Sequence, residues 1–144
     1  MYKKMLVALD GSETAERALE KAIEFAKLCG SQLILLNVIK TEDFEIVKNY
    51  SESSYDLVKS YLSQSAEKML GEAEEKAKRK GVEDVVKLVL FGDPADTIVD
   101  VSETENVDLI VMGTRGLTGV KRIVLGSTAQ KVIRWSKRDV LVVH

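Results

Sequence analysis

The chain has 144 residues, 45% hydrophobic, 31% charged and only 6% aromatic, which fits one globular domain with an aliphatic core. Its formal net charge of −2 gives no global reason for a nucleic-acid or anionic-membrane partner. A single cysteine, Cys29, excludes an internal disulfide and a cysteine-cluster metal site, and the one histidine, the last residue His144, leaves little room for a multi-histidine zinc site or a histidine-based triad.

Met5-Leu6-Val7-Ala8-Leu9 is an apolar run ended by Asp10-Gly11-Ser12. Apolar character without alternation marks a parallel strand covered on both faces. Ser12 is placed to cap a helix, with Glu13 and Glu16 in the first turn where negative charge meets the positive dipole end. Ala15, Ala18, Leu19, Ala22, Ile23, Phe25 and Ala26 recur at helical spacing, and Gly30 supplies the stop. Cys29, at the end of that pattern, reads as a buried, inert thiol. Leu33 to Ile39 is a second buried strand, and the polar stretch from Lys40 to about Ser53 shows no period. A helix is expected from about Ser54 to Lys80, with Leu57, Tyr61, Ala66, Met69, Ala73 and Ala77 inward and Gly81 at its end.

Val85 to Phe91 is the third strand, closed by Gly92. Asp93 caps a helix whose first turn holds the only proline, Pro94, and whose inner face carries Ile98, Val99 and Val101. Val107 to Met112 is the fourth strand, Ser127 to Trp135 a helix and Val140 to Val143 a final strand. The order βαβαβαβαβ predicts an α/β fold over residues 1–144: a single domain with an open five-stranded parallel sheet, helices on both faces and right-handed crossovers. No segment reaches the ~18 consecutive apolar residues of a membrane span. The five apolar residues after Lys4 are too few for a signal peptide, so the expected location is the cytoplasm.

Ligands of open α/β sheets sit at the carboxyl ends of strands, near the point where strand order reverses. Three places qualify: after Leu9, after Val38 and after Met112. The third has the richest chemistry, with Gly113, Gly116, Gly119 and Gly126 followed by Ser127 and Thr128. Glycines let a ligand approach bare backbone, and successive N–H groups can cradle an anion. Ser127 opens a helix whose free N–H groups and dipole suit a phosphate. From Gly113 to Arg138 there are seven Lys or Arg residues and no Asp or Glu. Arg115, Lys121 and Arg122 are the cations nearest the glycines. The other reading of the stretch is a long turn with a solvated basic helix. It holds no G-x-x-x-x-G-K-[ST] loop, and no G-x-G-x-x-G follows the first strand. A phosphoacceptor receiver domain would use Asp10 and Asp93, but Asp93 follows a glycine as a helix cap.

The spacing Gly113-x2-Gly116-x9-Gly126-Ser127 resembles the nucleotide signature of the universal stress protein family, in its ATP-binding branch. Met5 to Ser12 resembles that family's opening strand and Asp-x-Ser turn, Leu35-Leu36-Asn37-Val38 its second strand, Asp108 to Gly113 its fourth, and Val140 to Val143 its closing strand. Nearly the whole chain takes part, residues 40–80 least. The resemblance implies a Rossmann-like sheet of the adenine nucleotide alpha hydrolase kind holding ATP or AMP, with Mg or Mn possible beside ATP. By position it implies Asp10 near the ribose or phosphates and able to hold a metal through water, Ala8 and Leu9 on the pocket floor, and Val38 meeting adenine through its backbone. It implies Met112 beside the sugar or base, Gly113, Gly116 and Gly126 shaping the phosphate loop, and Ser127 and Thr128 donating to phosphate, with Arg115 beside it. Val38 and Met112 also read as plain core, and Asp10 as a turn residue. Where many relatives carry proline, this chain has Ala8 and Arg138-Asp139. Family members pair through the closing strand, so a homodimer through Val140 to Val143 is implied.

Two functions follow from that resemblance. One is a regulatory stress-response module that binds nucleotide. The other is a slow Mg- or Mn-dependent ATPase, open to activation by a partner, for which the loop offers no water-orienting Gln, Glu or His. A third, a dimer without nucleotide, leaves the glycine spacing unexplained.

Overall fold

The computed structural model describes residues 1–42, 51–114 and 125–144. Its elements are β1 (Lys4–Ala8), α1 (Glu13–Cys29), β2 (Gln32–Lys40), α2 (Glu52–Arg79), β3 (Val85–Gly92), α3 (Pro94–Thr104), β4 (Leu109–Gly113), α4 (Ser127–Trp135) and β5 (Asp139–Val143). All neighbouring strands are parallel, in the order β3-β2-β1-β4-β5. The chain winds outward from β1 to one edge, then crosses back and winds to the other, so the order reverses between β1 and β4.

Local chemistry sets the helix limits. Ser12 Oγ accepts the Ala15 N–H at 3.2 Å, and Gly30 closes α1 in the left-handed region at φ 66°, its N–H bound to the Ala26 carbonyl. Asp93 caps α3 through the Asp96 N–H, with Pro94 at the first turn where its missing donor costs nothing. Ser51 caps α2 through the Ser54 N–H.

Side-chain alternation splits the interior in two. Met5 and Val7 of β1 and Leu33 and Leu35 of β2 meet α1 and the C-terminal half of α2. Leu6, Ile34, Leu36, Ile110 and Met112 meet α3 and α4. Each fully buried Leu or Ile here contributes roughly 1.5–3 kcal/mol relative to exposure. The alanines of α1 bring that helix close to the sheet.

Two inward positions expected from the sequence are outward. Leu57 and Tyr61 are 73% and 69% exposed. The N-terminal half of α2 instead turns Tyr55, Val58 and Leu62 toward Ile39 and Val89, in line with buried Ala66. Steps of three and four lead back from Ala66 through Leu62 and Val58 to Tyr55, whereas the step from Tyr61 to Ala66 is five and breaks the helical period. Cys29 is half-buried at the edge of the α1 core rather than enclosed, because α1 ends there. Asp139 already belongs to β5, paired with Leu109 and accepting the Tyr2 hydroxyl at 2.9 Å.

The amino edge of the sheet is closed by Asp108. Its Oδ2 accepts the Lys4 N–H at 3.0 Å and the Lys3 N–H at 2.8 Å. Those backbone hydrogen bonds, that of Lys4 foremost, hold its carboxyl below the usual range. Lys76 ties α2 to α1, reaching Glu16 at 3.0 Å and Glu20 at 2.9 Å.

Candidate functional site

At the carboxyl edge the strands stop at different heights. β1 pairs with β2 only as far as Ala8 opposite Leu36, and with β4 only as far as Val7 opposite Val111. β2 runs on to Lys40 and β4 to Gly113. A notch therefore opens beyond β1, at the reversal of strand order where open α/β sheets take ligands.

The peptide directions in β2 define one wall. The Gln32 N–H donates to the Lys3 carbonyl at 2.9 Å and the Leu9 N–H to the Leu36 carbonyl at 2.8 Å, whereas the Leu33 N–H donates to the Asp84 carbonyl at 2.9 Å. Even-numbered residues of β2 thus direct their peptide groups toward β1, and odd-numbered ones toward β3. Continued ladder pairing would send the Val38 N–H to the Leu9 carbonyl. Asn37 Nδ2 takes that carbonyl instead, at 2.7 Å. Among the described residues, the Val38 N–H and C=O then meet no group on the β1 side.

The other wall is the join of β4, α4 and β5. The buried Thr114 donates its N–H to the Val143 carbonyl at 3.0 Å, and its own carbonyl accepts the Gly126 N–H at 2.6 Å. The two ends of the glycine stretch are thereby fastened side by side. Gly126 stands at the N-cap of α4 with φ −64° and ψ 161°, and it supplies no capping side chain. Among the described residues no side chain caps the first N–H groups of α4, which lie beside an exposed Ser127 and a half-buried Thr128.

The residues expected at the site divide as follows. Ala8, Val38 and Met112 share the α3–α4 side of the sheet with Leu125. Leu9 turns its side chain to the opposite core, so only its backbone borders the notch. Asp10 is exposed at the exit of β1, its Oδ1 accepting the Ser12 N–H at 2.9 Å. That is the turn-forming bond also read from the sequence. Gly113 packs tightly on α1: a Cβ there would lie 2.7 Å from the Thr14 carbonyl carbon and 2.8 Å from the Ala15 nitrogen, with Thr14 Oγ1 closer still. Its bareness serves helix–strand contact. Arg115, Gly116, Lys121 and Arg122 lie outside the described residues.

Asn37 and Thr114 went unnoticed as site-building residues. Asn37 had a signal, being the only polar side chain in the apolar run Leu33 to Ile39. A polar group set among core residues needs a partner, and here it has one.

A cavity of about 250 Å³ lies on the α1–α2 side, bordered by Gly11, Ser12, Glu16, Glu72, Lys76 and Arg79. Glu16 and Glu72 there balance Lys76 and Arg79, and Lys76 is already engaged by Glu16 and Glu20, so it is a poorer seat for a polyanion than the α4 terminus. Among the described residues no three His, Cys, Asp or Glu side chains are grouped to hold a metal ion. Nor is any described helix long and apolar enough to cross a membrane.

A model of the universal stress protein family matches residues 1–144. The chain belongs to the universal stress protein family. Among its relatives, universal stress protein YxiE of Bacillus subtilis is 34% identical, the match covering all of both chains. Universal stress protein MJ0531 of Methanocaldococcus jannaschii is 36% identical over 99% of this chain and 82% of that one. The solved structure of hypothetical protein MJ0577 superposes with a TM-score of 0.88 at 36% identity, covering 99% of this chain and 96% of that one. A universal stress protein solved in complex with cAMP is 29% identical, with a TM-score of 0.70 and coverage of 99% and 97%. This universal stress protein thus has the five-stranded parallel α/β fold of the solved structures it matches.

Proposed function

We propose that this chain is an adenine-nucleotide-binding regulatory module of the stress response, holding ATP or AMP in the notch beyond β1. The observation that carries the reading is that, among the described residues, the Val38 peptide groups on one side of β1 and the first N–H groups of α4, which follows β4 on the other side, have no partner. One N–H and one C=O on an open strand edge match the acceptor N1 and the donor amino group of adenine, whereas guanine presents the reverse order. Ala8, Val38 and Met112 offer an apolar surface for the base and sugar. The free N–H groups at the start of α4, with Ser127 and Thr128, are suited to phosphate oxygens. Arg115, Gly116 and Gly126 belong to the same phosphate loop. Asp10 has an oxygen left for a ribose hydroxyl, or for a Mg or Mn ion reached through water and held mainly by phosphate. The relative solved with cAMP gives independent support for an adenine nucleotide.

The working form in this reading is a cytoplasmic homodimer joined through Val140 to Val143. These residues are all half-exposed in the single chain, on an edge strand that lacks a partner on one side. The first test is to denature freshly purified protein and identify the released small molecules by chromatography with mass detection. Near-stoichiometric ATP or AMP is expected, with Gly126→Val releasing none. If nothing is released and added ATP leaves the melting temperature unchanged, the nucleotide reading fails. Sedimentation equilibrium tests the dimer, and a monomer at working concentration would remove it.

A further inference from the structure

We infer that Asn37 is a positioning residue that keeps the Val38 peptide open for the base of the ligand. The inference deepens the nucleotide reading and rests on it. In a regular parallel ladder the Leu9 carbonyl and the Val38 N–H would satisfy each other, and the notch would begin one residue later. The Asn37 side chain lies on the α1–α2 side of β2, in the alternation set by Leu35 and Ile39, on the same side as Leu9. From there its Nδ2 reaches the Leu9 carbonyl at 2.7 Å. One side-chain amide therefore does two things. It satisfies an acceptor that would otherwise be stranded at the end of β1, and it stops the backbone donor next to it from being consumed by the sheet.

The same bond fixes the direction in which β1 leaves the sheet. The Leu9 N–H is held by the Leu36 carbonyl and the Leu9 C=O by Asn37, so both peptide groups of Leu9 are tied to β2. Asp10 follows directly and turns back to accept the Ser12 N–H at 2.9 Å, and Ser12 in turn caps α1. The carboxylate offered to the ribose, the freed peptide offered to the base and the start of α1 are thus set by one short hydrogen-bonded path. Asn37 itself need not touch the nucleotide.

Backbone amide exchange by NMR, read together with ATP affinity by calorimetry, tests the inference on the full chain and on Asn37→Ala and Asn37→Asp. The Asp variant keeps the shape but has no donor for the carbonyl at neutral pH, which guards against a mere packing loss in the Ala variant. In unliganded wild type the Val38 amide should exchange at least about tenfold faster than the Leu9 amide, and ATP should slow it. In the variants the freed Leu9 carbonyl should capture the Val38 N–H. Its exchange should then slow to near that of Leu9, and ATP should bind about tenfold more weakly, the scale of one lost hydrogen bond in a desolvated site. A Val38 amide already as protected as that of Leu9 in unliganded wild type would overturn the inference. Variants that bind ATP within twofold of wild type would do the same. Wild type that binds neither ATP nor AMP would retire the nucleotide reading. The exchange pattern would still decide separately whether Asn37 holds Val38 open.

Discussion

Gly113→Ala tests the claim that this glycine is needed for packing and not only for a ligand. The added Cβ would lie 2.7 Å from the Thr14 carbonyl carbon and 2.8 Å from the Ala15 nitrogen. Ordinary carbon contacts begin near 3.5 Å, so the overlap is roughly 0.7 Å. The obstructing atoms are backbone at the capped start of α1, and Thr14 and Ala15 are only 3% and 4% exposed. Rotating Thr14 would clear only its Oγ1, so relief from the two backbone atoms requires α1 to lift off β4. Overpacking of this kind costs about 1–3 kcal/mol. For a chain of this length, roughly 3–4 °C of melting temperature goes with each kcal/mol. Calorimetry of the unliganded variant should show a drop of about 3–12 °C on that scale. Gly71→Ala is the control: it lies inside α2, and nothing stands within 4 Å of its missing Cβ. It should gain about 0.5–1 kcal/mol from helix propensity alone. If Gly113→Ala melts within about 1 °C of wild type without ligand, the packing argument is wrong and the glycine serves only the bound state.

Asp108→Asn should cost about 1 kcal/mol at neutral pH, the difference between charged and neutral acceptors of two backbone N–H groups. Because the folded carboxyl titrates below its unfolded value of about 3.9, its contribution is complete above that pH and is lost as pH falls through the folded value. Urea titrations of wild type and variant should therefore converge in acid, and an undiminished gap there would refute the charge argument. Lys76→Met removes the cation shared by Glu16 and Glu20, whose attachment, that of Glu20 foremost, raises the Lys76 pKa. These carboxylates are half-exposed, so a loss of about 0.5–1 kcal/mol is expected, shrinking in 1 M salt. A loss independent of salt would mean that the lysine stem matters for packing instead. Gly126→Val should abolish nucleotide retention while melting within a few degrees of wild type, measured by the release assay and calorimetry. Retention at the wild-type level would move the phosphate site elsewhere.

The helix limits were readable one residue at a time. Ser12, Gly30 and Asp93, the last beside Pro94, each act through bonds to residues within a turn or two. The strands were readable for a related reason, since a strand buried on both faces needs an apolar run. The inner face of α2 was misread at Leu57 and Tyr61 because a long polar helix carries several apolar spacings. Only the position of Ile39 and Val89 selects among them. At the site, the residue types were legible at Gly126, Ser127 and Thr128, but the reasons for them were not. Gly113 was read as part of a phosphate loop, and its closest requirement is a contact with Thr14, 99 positions earlier in the chain.

By itself, then, the sequence determined the succession of strands and helices, the single-domain α/β class and the family. All of these rest on local bonds and on patterns of burial along the chain. Only the tertiary structure decided the strand order β3-β2-β1-β4-β5, the early end of β1 between two neighbours that run further, and the capture of the Leu9 carbonyl by Asn37. Those depend on which strands meet and where each stops pairing. The physical reason is that a backbone group becomes free or satisfied only when its neighbour across the sheet is in place.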